Sequence, residues 1–488
     1  MITRQLVIGI VLLLGFQSQS LAQSTANRDT MSKVLGRAQV MTTGAFFDRI
    51  LKHHPIARQA ALFTENARQE LRVARGAFDP KLEADFATKE FKNDRYYRNL
   101  NSVLKVPAWI GELKGGYEQN LGMQVNPEVR TPNSGLAYAG ISMPLPISQG
   151  FWIDERRATL QQAKLFGQIA EAERVKEINK LLLSAAKEYW AWYFAWNEYA
   201  MIREAHQLAD VRYQAVKERV AQGDLAPIDS VDAQTALQDR TVQLGQAEVV
   251  LANVRMRLSN YLWDEDEIPL EIAEGVVPAE FDTKQPILGE AILADLLQQA
   301  RQQHPELRKL TGKIGQLEME ERYRRDLLKP AIRVEYNLLS AAPVPVREVD
   351  MAFLRNNYKF GASLSFPLFL RKERGKLQQT IIKLKQHTFE RTQTGREIEN
   401  SVRAVYNELK TTEQLLGVQQ SVVENYRLLR DGEMQKFDNG ESSLFLINSR
   451  EAKLIEAQVK MIALRSKYEQ QKAELRWAAG ALNLEDLK

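Results

Sequence analysis

The sequence predicts a mainly α-helical chain with a smaller β portion, built from two copies of one pattern: helix, strand, loop, strand, long helix, turn, helix. Three observations carry that reading. Residues 154–220 contain no proline and a single glycine, Gly167, so one helix of about 100 Å fits them at about 1.5 Å per residue. Residues 189–237 recur as 406–454, with Tyr189 matching Tyr406, Gly223 matching Gly440 and Leu237 matching Leu454, all at an offset of 217. Behind Pro80 and again behind Pro330 the apolar period changes from helical to two.

Residues 1–22 read as a secretory signal peptide. Arg4 supplies the positive end, residues 6–16 the apolar run, and Ser20-Leu21-Ala22 the small-x-small site before Gln23. An apolar run of eleven residues is short of the roughly twenty that a spanning helix needs. No later stretch is long and apolar enough to span as a helix, so a membrane role has to come from strands. There is no cysteine, which removes disulfides, thiolate chemistry and Cys-ligated zinc, and leaves no thiol for a lipid after the signal. The 66 basic and 62 acidic residues give a formal charge of +4 and are interspersed, which speaks against a nucleic-acid partner.

The first repeat covers 23–263, with strands within about 81–146 and a long helical hairpin over about 154–263. Its opening helical pattern, 43–75, is interrupted at His54-Pro55; the same dipeptide returns as His304-Pro305 within 291–328. Twenty-five residues beyond each of these prolines stands another, Pro80 and Pro330, so both pairs share an offset of 250. The second repeat, 287–488, places strands within about 331–367 and its hairpin over about 372–480. Between the repeats, 264–286 is acidic and proline-bearing and reads as a solvated connector.

In the strands, Ile332, Val334, Tyr336 and Leu338 alternate with Arg333, Glu335 and Asn337, and Leu82, Ala84 and Phe86 alternate with Lys81, Glu83 and Asp85. Such alternation fits a half-solvated soluble sheet or a membrane barrel with lipid outside and water inside. The two strand regions differ in length, 64 residues from Pro80 to Pro144 against 37 from Pro330 to Pro367. The surplus of about 27 residues, with Gly115-Gly116 at its middle, reads as an extra hairpin or a structured loop.

Each long hairpin turns at an apolar residue followed by a polar-Gly-acidic triplet: Val220 then Gln222-Gly223-Asp224, and Phe437 then Asn439-Gly440-Glu441. Beyond the first turn Asp229 and Asp232 form an i,i+3 carboxylate pair. Acidic groups also favour the start of a helix through the macrodipole, so a capping role and an ion-facing role both fit. The rings of Tyr189, Trp190, Trp192, Tyr193, Phe194, Trp196 and Tyr199 wrap around their helix and read as packing. The five histidines form no ligand pair, His54 and His304 read as helix-start residues beside their prolines, and no phosphate loop or nucleophile elbow is present. The chain therefore reads as no enzyme, with no cofactor.

Taken together, these features resemble the TolC-type outer-membrane efflux proteins. The resemblance spans about 43–488 and is most specific at the two turns and at the terminal Ala481-Leu482-Asn483-Leu484-Glu485-Asp486-Leu487. It implies a mainly α fold with a transmembrane β-barrel portion, a homotrimer whose strands share one barrel in outer-membrane lipid, and helices forming a tapering duct through the periplasm of a Gram-negative cell. It implies a periplasmic adaptor (membrane fusion) protein and an inner-membrane pump as partners. Gly223, Asp224, Leu225, Gly440, Glu441 and Ser442 then match the adaptor-docking turns. About four strands per chain are too few to close a barrel, and open strand edges do not face lipid, so several chains have to share one. The surplus, 93–134, is then expected outside the cell.

One departure from the family stands out. Its duct-narrowing acidic rings sit on the second hairpin, where this chain has Leu446 and Ser449; the carboxylates occur in the first repeat as Asp229 and Asp232. These two are the candidate duct-entrance ring. The alternative reading is a periplasmic coiled-coil adaptor or scaffold, although an adaptor carries one helical hairpin within a small β domain and this chain has two.

Overall fold

The computed structural model describes residues 40–273, 275–279, 290–341 and 355–482. The expected signal peptide, the end of the connector and most of the terminal 481–487 stretch lie outside the described residues. In chain order the elements are β1 (Val40–Met41), α1 (Thr43–His53), α2 (Pro55–Gly76), β2 (Lys81–Phe91), β3 (Asp94–Pro107), β4 (Glu112–Leu121), β5 (Leu136–Pro144), α3 (Glu155–Ala221), α4 (Pro227–Ser259), β6 (Val277–Pro278), α5 (Glu290–Gln303), α6 (Pro305–Asp326), β7 (Ala331–Ala341), β8 (Tyr358–Ser365), α7 (Arg371–Asp438) and α8 (Leu444–Ala478). They fall into two compact units, a helical one from the described parts of 1–60, 175–304 and 396–488, and a sheet-bearing one from 61–174 and 305–395. Helices α3 and α7 contribute to both.

In the helical unit, α1 opens where the Thr42 hydroxyl accepts the Ala45 N–H at 3.3 Å. It stops at His54, held extended at ψ 131, the conformation that a following proline imposes. The His54 Nδ1 then accepts the Ile56 N–H at 3.1 Å, so the residue both ends one helix and caps the next. Burial holds its imidazole below the ordinary range, opposed by a backbone hydrogen bond involving Asn260. Around it, Phe46, Phe47 and Ile50 of α1 pack on Tyr189 and Trp192 of α3 and on Leu251, Val254 and Leu258 of α4. Each such side chain contributes about 1.5–3 kcal/mol by leaving water, and the aromatic cluster packs as expected.

The Tyr189 hydroxyl donates to the Met41 carbonyl at 2.8 Å and accepts the Ala279 N–H at 3.4 Å, beside the parallel pairing of β1 with β6. Burial pushes that phenol up to about 12. The connector is only partly solvated. Glu265, Asp266 and Glu267 are exposed, but Asp264 is buried and its carboxylate accepts the N–H groups of Asp266 and Ile268 at 3.0 and 2.8 Å. Leu270, Ile272 and Val276 join the core.

The sheet-bearing unit holds six strands among the described residues, in the order β2-β3-β4-β5-β7-β8, and every neighbouring pair is antiparallel. Four strands were expected, and the difference lies in the surplus. Residues 94–107 and 112–121 form a full hairpin, β3–β4, inserted between the strands that correspond to β7 and β8. Most of 93–134, the segment expected outside the cell, is part of the sheet. The strand alternation hid in a run rich in Asn, Gly and Lys, whose face repeats only once its neighbours are known. Lys92 and Asn93, with φ of 54° and 62°, make the tight β2–β3 turn whose twist matches antiparallel strands.

Where the sheet hands over to α3, Asp154 accepts the Arg157 N–H at 2.9 Å and the Arg157 and Arg156 guanidinium groups at 3.0 and 2.9 Å. Burial alone raises its carboxyl, but the Arg157 amide and the two guanidinium groups outweigh it and hold the group below the usual carboxylate range. A depressed folded-state value means the stabilisation is present above the ordinary value near 4 and is lost as pH falls through the folded one. Asp154→Ala is expected to cost about 1–2 kcal/mol at pH 6. In urea titrations the gap from the parent chain should close below about pH 4.

Among the described residues no helix is long and apolar enough to cross a membrane.

Candidate functional site

The six-stranded sheet is two-faced across its whole width. Register places Leu82 opposite Leu104, Phe86 opposite Leu100, Val106 opposite Leu113, Leu113 opposite Ile141, Ile141 opposite Tyr336 and Tyr336 opposite Phe360. This face is uncovered: Leu82 is 73% and Leu364 71% exposed, and Phe86, Leu104, Leu113 and Phe360 are exposed too. An apolar patch of that extent marks a surface that meets something other than water. The opposite face carries Lys81, Glu83 and Asp85 of β2, Asn101 and Lys105 of β3, Lys114 and Glu118 of β4, Arg333, Glu335 and Asn337 of β7, and Lys359 of β8. Ion pairs cross it from Lys105 to Glu83 at 2.5 Å and from Lys114 to Glu335 at 3.1 Å.

The hairpin's place in the sheet is fixed by side-chain fit. Tyr138 of β5 lies over Gly116 of β4, where an added Cβ would meet its Cζ at 2.6 Å and the Ser102 carbonyl at 2.4 Å. Tyr117 reaches over Gly135 and donates to the Ser134 carbonyl at 2.9 Å. Among the described residues both outer strands, β2 and β8, are paired on one side only.

In the helical unit the two hairpin turns are built alike. Gly223 and Gly440 sit at φ of 84° and 80°. The Asp224 N–H donates to the Arg219 carbonyl at 2.9 Å and the Gly223 N–H to Val220 at 3.1 Å; Glu441 and Gly440 repeat this onto Lys436 at 2.8 Å and Phe437 at 3.0 Å. That pattern closes a helix around a left-handed residue. One small core joins the turns: Val216, Ala233 and Leu444 are buried, with Tyr213, Val220, Leu225 and Phe437 packed on them. The Ser442 hydroxyl donates to Glu433 at 2.6 Å, and Ser442 beside it lowers the Glu433 carboxyl. Ile228, Val231, Phe445 and Leu446 remain exposed just beyond the turns.

No atom lies within 4 Å of an added Cβ at either glycine, so only backbone strain opposes substitution. Gly223→Val and Gly440→Val are each expected to cost about 1–2 kcal/mol, read as about 5- to 30-fold faster amide exchange in the turn. Gly440→Asn should change exchange little, because Asn tolerates the left-handed region.

Asp229 and Asp232 diverge in detail. Asp229 reaches back to accept the Ala226 N–H at 3.2 Å, one half of a capping box. Asp232 accepts the Asn448 side-chain amide at 3.3 Å. Asn448 in turn accepts Arg212 at 3.1 Å, and Arg212 forks onto Glu451 at 2.5 and 2.7 Å. Arg212, Asn448 and Glu451 were not singled out from sequence. More than 230 positions separate Arg212 from the other two, and nothing local marks the pairing. Leu446 and Ser449 are exposed, as is Glu441.

No family model matches the chain. No curated protein matches it either. Solved structures do. The Campylobacter jejuni CmeC outer membrane channel is 13% identical with a TM-score of 0.62, covering 91% of this chain and 89% of its own. The open-state MtrE outer membrane channel of Neisseria gonorrhoeae is 15% identical with a TM-score of 0.63, covering 90% and 89%. The outer membrane protein VceC of Vibrio cholerae is 13% identical with a TM-score of 0.61, covering 90% and 96%. These long helices, hairpin turns and antiparallel strands have the fold of the TolC-type outer-membrane channels.

Proposed function

We propose that this chain is the outer-membrane channel of a tripartite efflux or type I secretion system, a passive homotrimeric duct from periplasm to exterior. The observation that carries the proposal is the sheet with one apolar and one charged face and two open edges. Lipid on the apolar side satisfies the first feature and water in a lumen the second. Open edges are not stable in hydrocarbon, so β8 of one copy pairs with β2 of the next until the wall closes. The helices continue as the duct. The turns at Gly223 and Gly440, with exposed Ile228, Val231 and Phe445 beside them, offer the docking surface for a periplasmic adaptor that links to an inner-membrane pump.

The test is expression of the full chain in a Gram-negative host, followed by membrane fractionation and native mass spectrometry. Three copies in the outer-membrane fraction, cross-linking to the adaptor from photoreactive groups at Gln222 and Asn439, are expected. A soluble monomer would sink the reading.

Asp229 and Asp232 belong to the same proposal as the mouth of the duct. Three copies bring up to six carboxylates towards one axis, an arrangement that favours cations. Replacing both with Asn is expected to weaken cation preference and block by trivalent cations in planar-bilayer recordings. Unchanged selectivity and block would leave Asp229 its capping role and Asp232 its bond to Asn448.

A further inference from the structure

We infer that each chain places six strands, not four, in the membrane wall, so that three copies close an eighteen-stranded barrel. The inference rests on the trimeric reading for the number three and on the sheet itself for the number six.

The β3–β4 hairpin is a structural member of the sheet. It is paired on both sides over most of its length, from Lys81↔Lys105 to Phe91↔Asp94 and from Glu112↔Ser142 to Glu118↔Leu136. A hairpin folded over the rim or into the lumen leaves β2 to pair directly with β5; here the two stand apart with β3 and β4 between them. The hairpin continues both faces. Leu100, Leu104 and Leu113 extend the apolar side, and Asn101, Lys105 and Lys114 the charged side. Its outer turns carry the polar chemistry of a rim, with Lys92 and Asn93 at one end of β3. Burying β3 and β4 in a water-filled site would strand those leucines, whereas lipid accommodates them.

The consequence is a wide outlet. With strands about 4.8 Å apart and tilted by about 40°, eighteen strands enclose about 36 Å between backbones, against about 24 Å for twelve. A wall of that size leaves an aqueous lumen rather than a side-chain-filled core. The strand region then imposes little selection by size.

The test uses the full-length protein in lipid nanodiscs, imaged by electron cryo-microscopy. Three copies with eighteen wall strands support the inference. Three copies with twelve strands and 94–121 outside the wall overturn it and leave the duct reading standing. Six strands per chain around another number of copies overturn the trimer and the eighteen together. Absence of any membrane-inserted assembly overturns the proposed function itself. The lack of native cysteine allows an independent check by labelling. With a maleimide confined to water, Ser102→Cys on the apolar face is expected to react about tenfold more slowly or less than Asn101→Cys on the luminal face. Equal rates at the two positions would overturn the placement of β3 in the wall.

Discussion

Leu100→Arg is expected to abolish the membrane-inserted assembly, while Asn101→Arg, one residue along the same strand, leaves it intact. The two positions share backbone, strand and depth, and differ only in the face they occupy. Leu100 stands opposite Phe86 and Gln119, with Ser102 and Leu104 along its row; Asn101 stands opposite Asp85 and Glu118. An arginine on the lipid side near the bilayer midplane costs about 2–4 kcal/mol, and on the luminal side it is solvated. In a closed wall of several copies the cost recurs in every subunit, so a loss of about 30- to 1000-fold per subunit compounds. At Asn101 the new guanidinium meets two carboxylates. Yield of the oligomer in the outer-membrane fraction, with heat-modifiable mobility in detergent, reads both outcomes. Equal tolerance at the two sites would mean that the leucine face of β3 does not meet hydrocarbon, and the membrane reading of the sheet would fall with it.

The long helices were legible because nothing interrupts them, and the repeat because glycine is required twice at the same structural point, Gly223 and Gly440. A left-handed residue at a helix end leaves a mark in sequence. So does a residue before proline: His54 was read as a helix-start residue, and the structure shows it capping α2 through its ring. Strands β2 and β7 announced themselves by strict alternation. Strands β3 and β4 did not, because Asn99, Asn101 and Gly116 blur the pattern on one face and Ser102 and Gly115 blur it on the other. Their strand character comes from pairing, as Gly116 shows by accepting Tyr138 against it. Asp264 was read with its acidic neighbours as solvated, yet it turns inward to satisfy two backbone N–H groups. Charge runs give the average of a segment and not the direction of one side chain. The contact least visible in sequence, between Arg212 and Glu451, is also among the most consequential.

Arg212→Met is expected to open the helical unit around α8, and adding Glu451→Leu is expected to restore most of the loss. The Arg212 and Glu451 side chains are each only 16% exposed, and the guanidinium grips both carboxylate oxygens. A bidentate charged pair of this kind is strong because its geometry is fixed and water is scarce. It also joins elements distant in the chain: Arg212 comes from α3, Glu451 and Asn448 from α8, and Asn448 passes the network on to Asp232 of α4. Removing the guanidinium leaves a carboxylate desolvated without its counter-charge, which costs about 3–5 kcal/mol for a buried pair. Arg240 lies close enough to interact with Glu451, so the lower end, about 3 kcal/mol, is expected. The double substitution replaces both charges by apolar groups of similar length and is expected to be nearly neutral, because no charge is then left unpaired. Hydrogen exchange of the α8 amides near Asn448 and Glu451 measures the effect locally. An acceleration of about 100-fold in Arg212→Met, largely reversed in the double variant, corresponds to that free energy. Equal acceleration in the single and double variants would show instead that Arg212 acts through packing alone and that the charge pair holds nothing together.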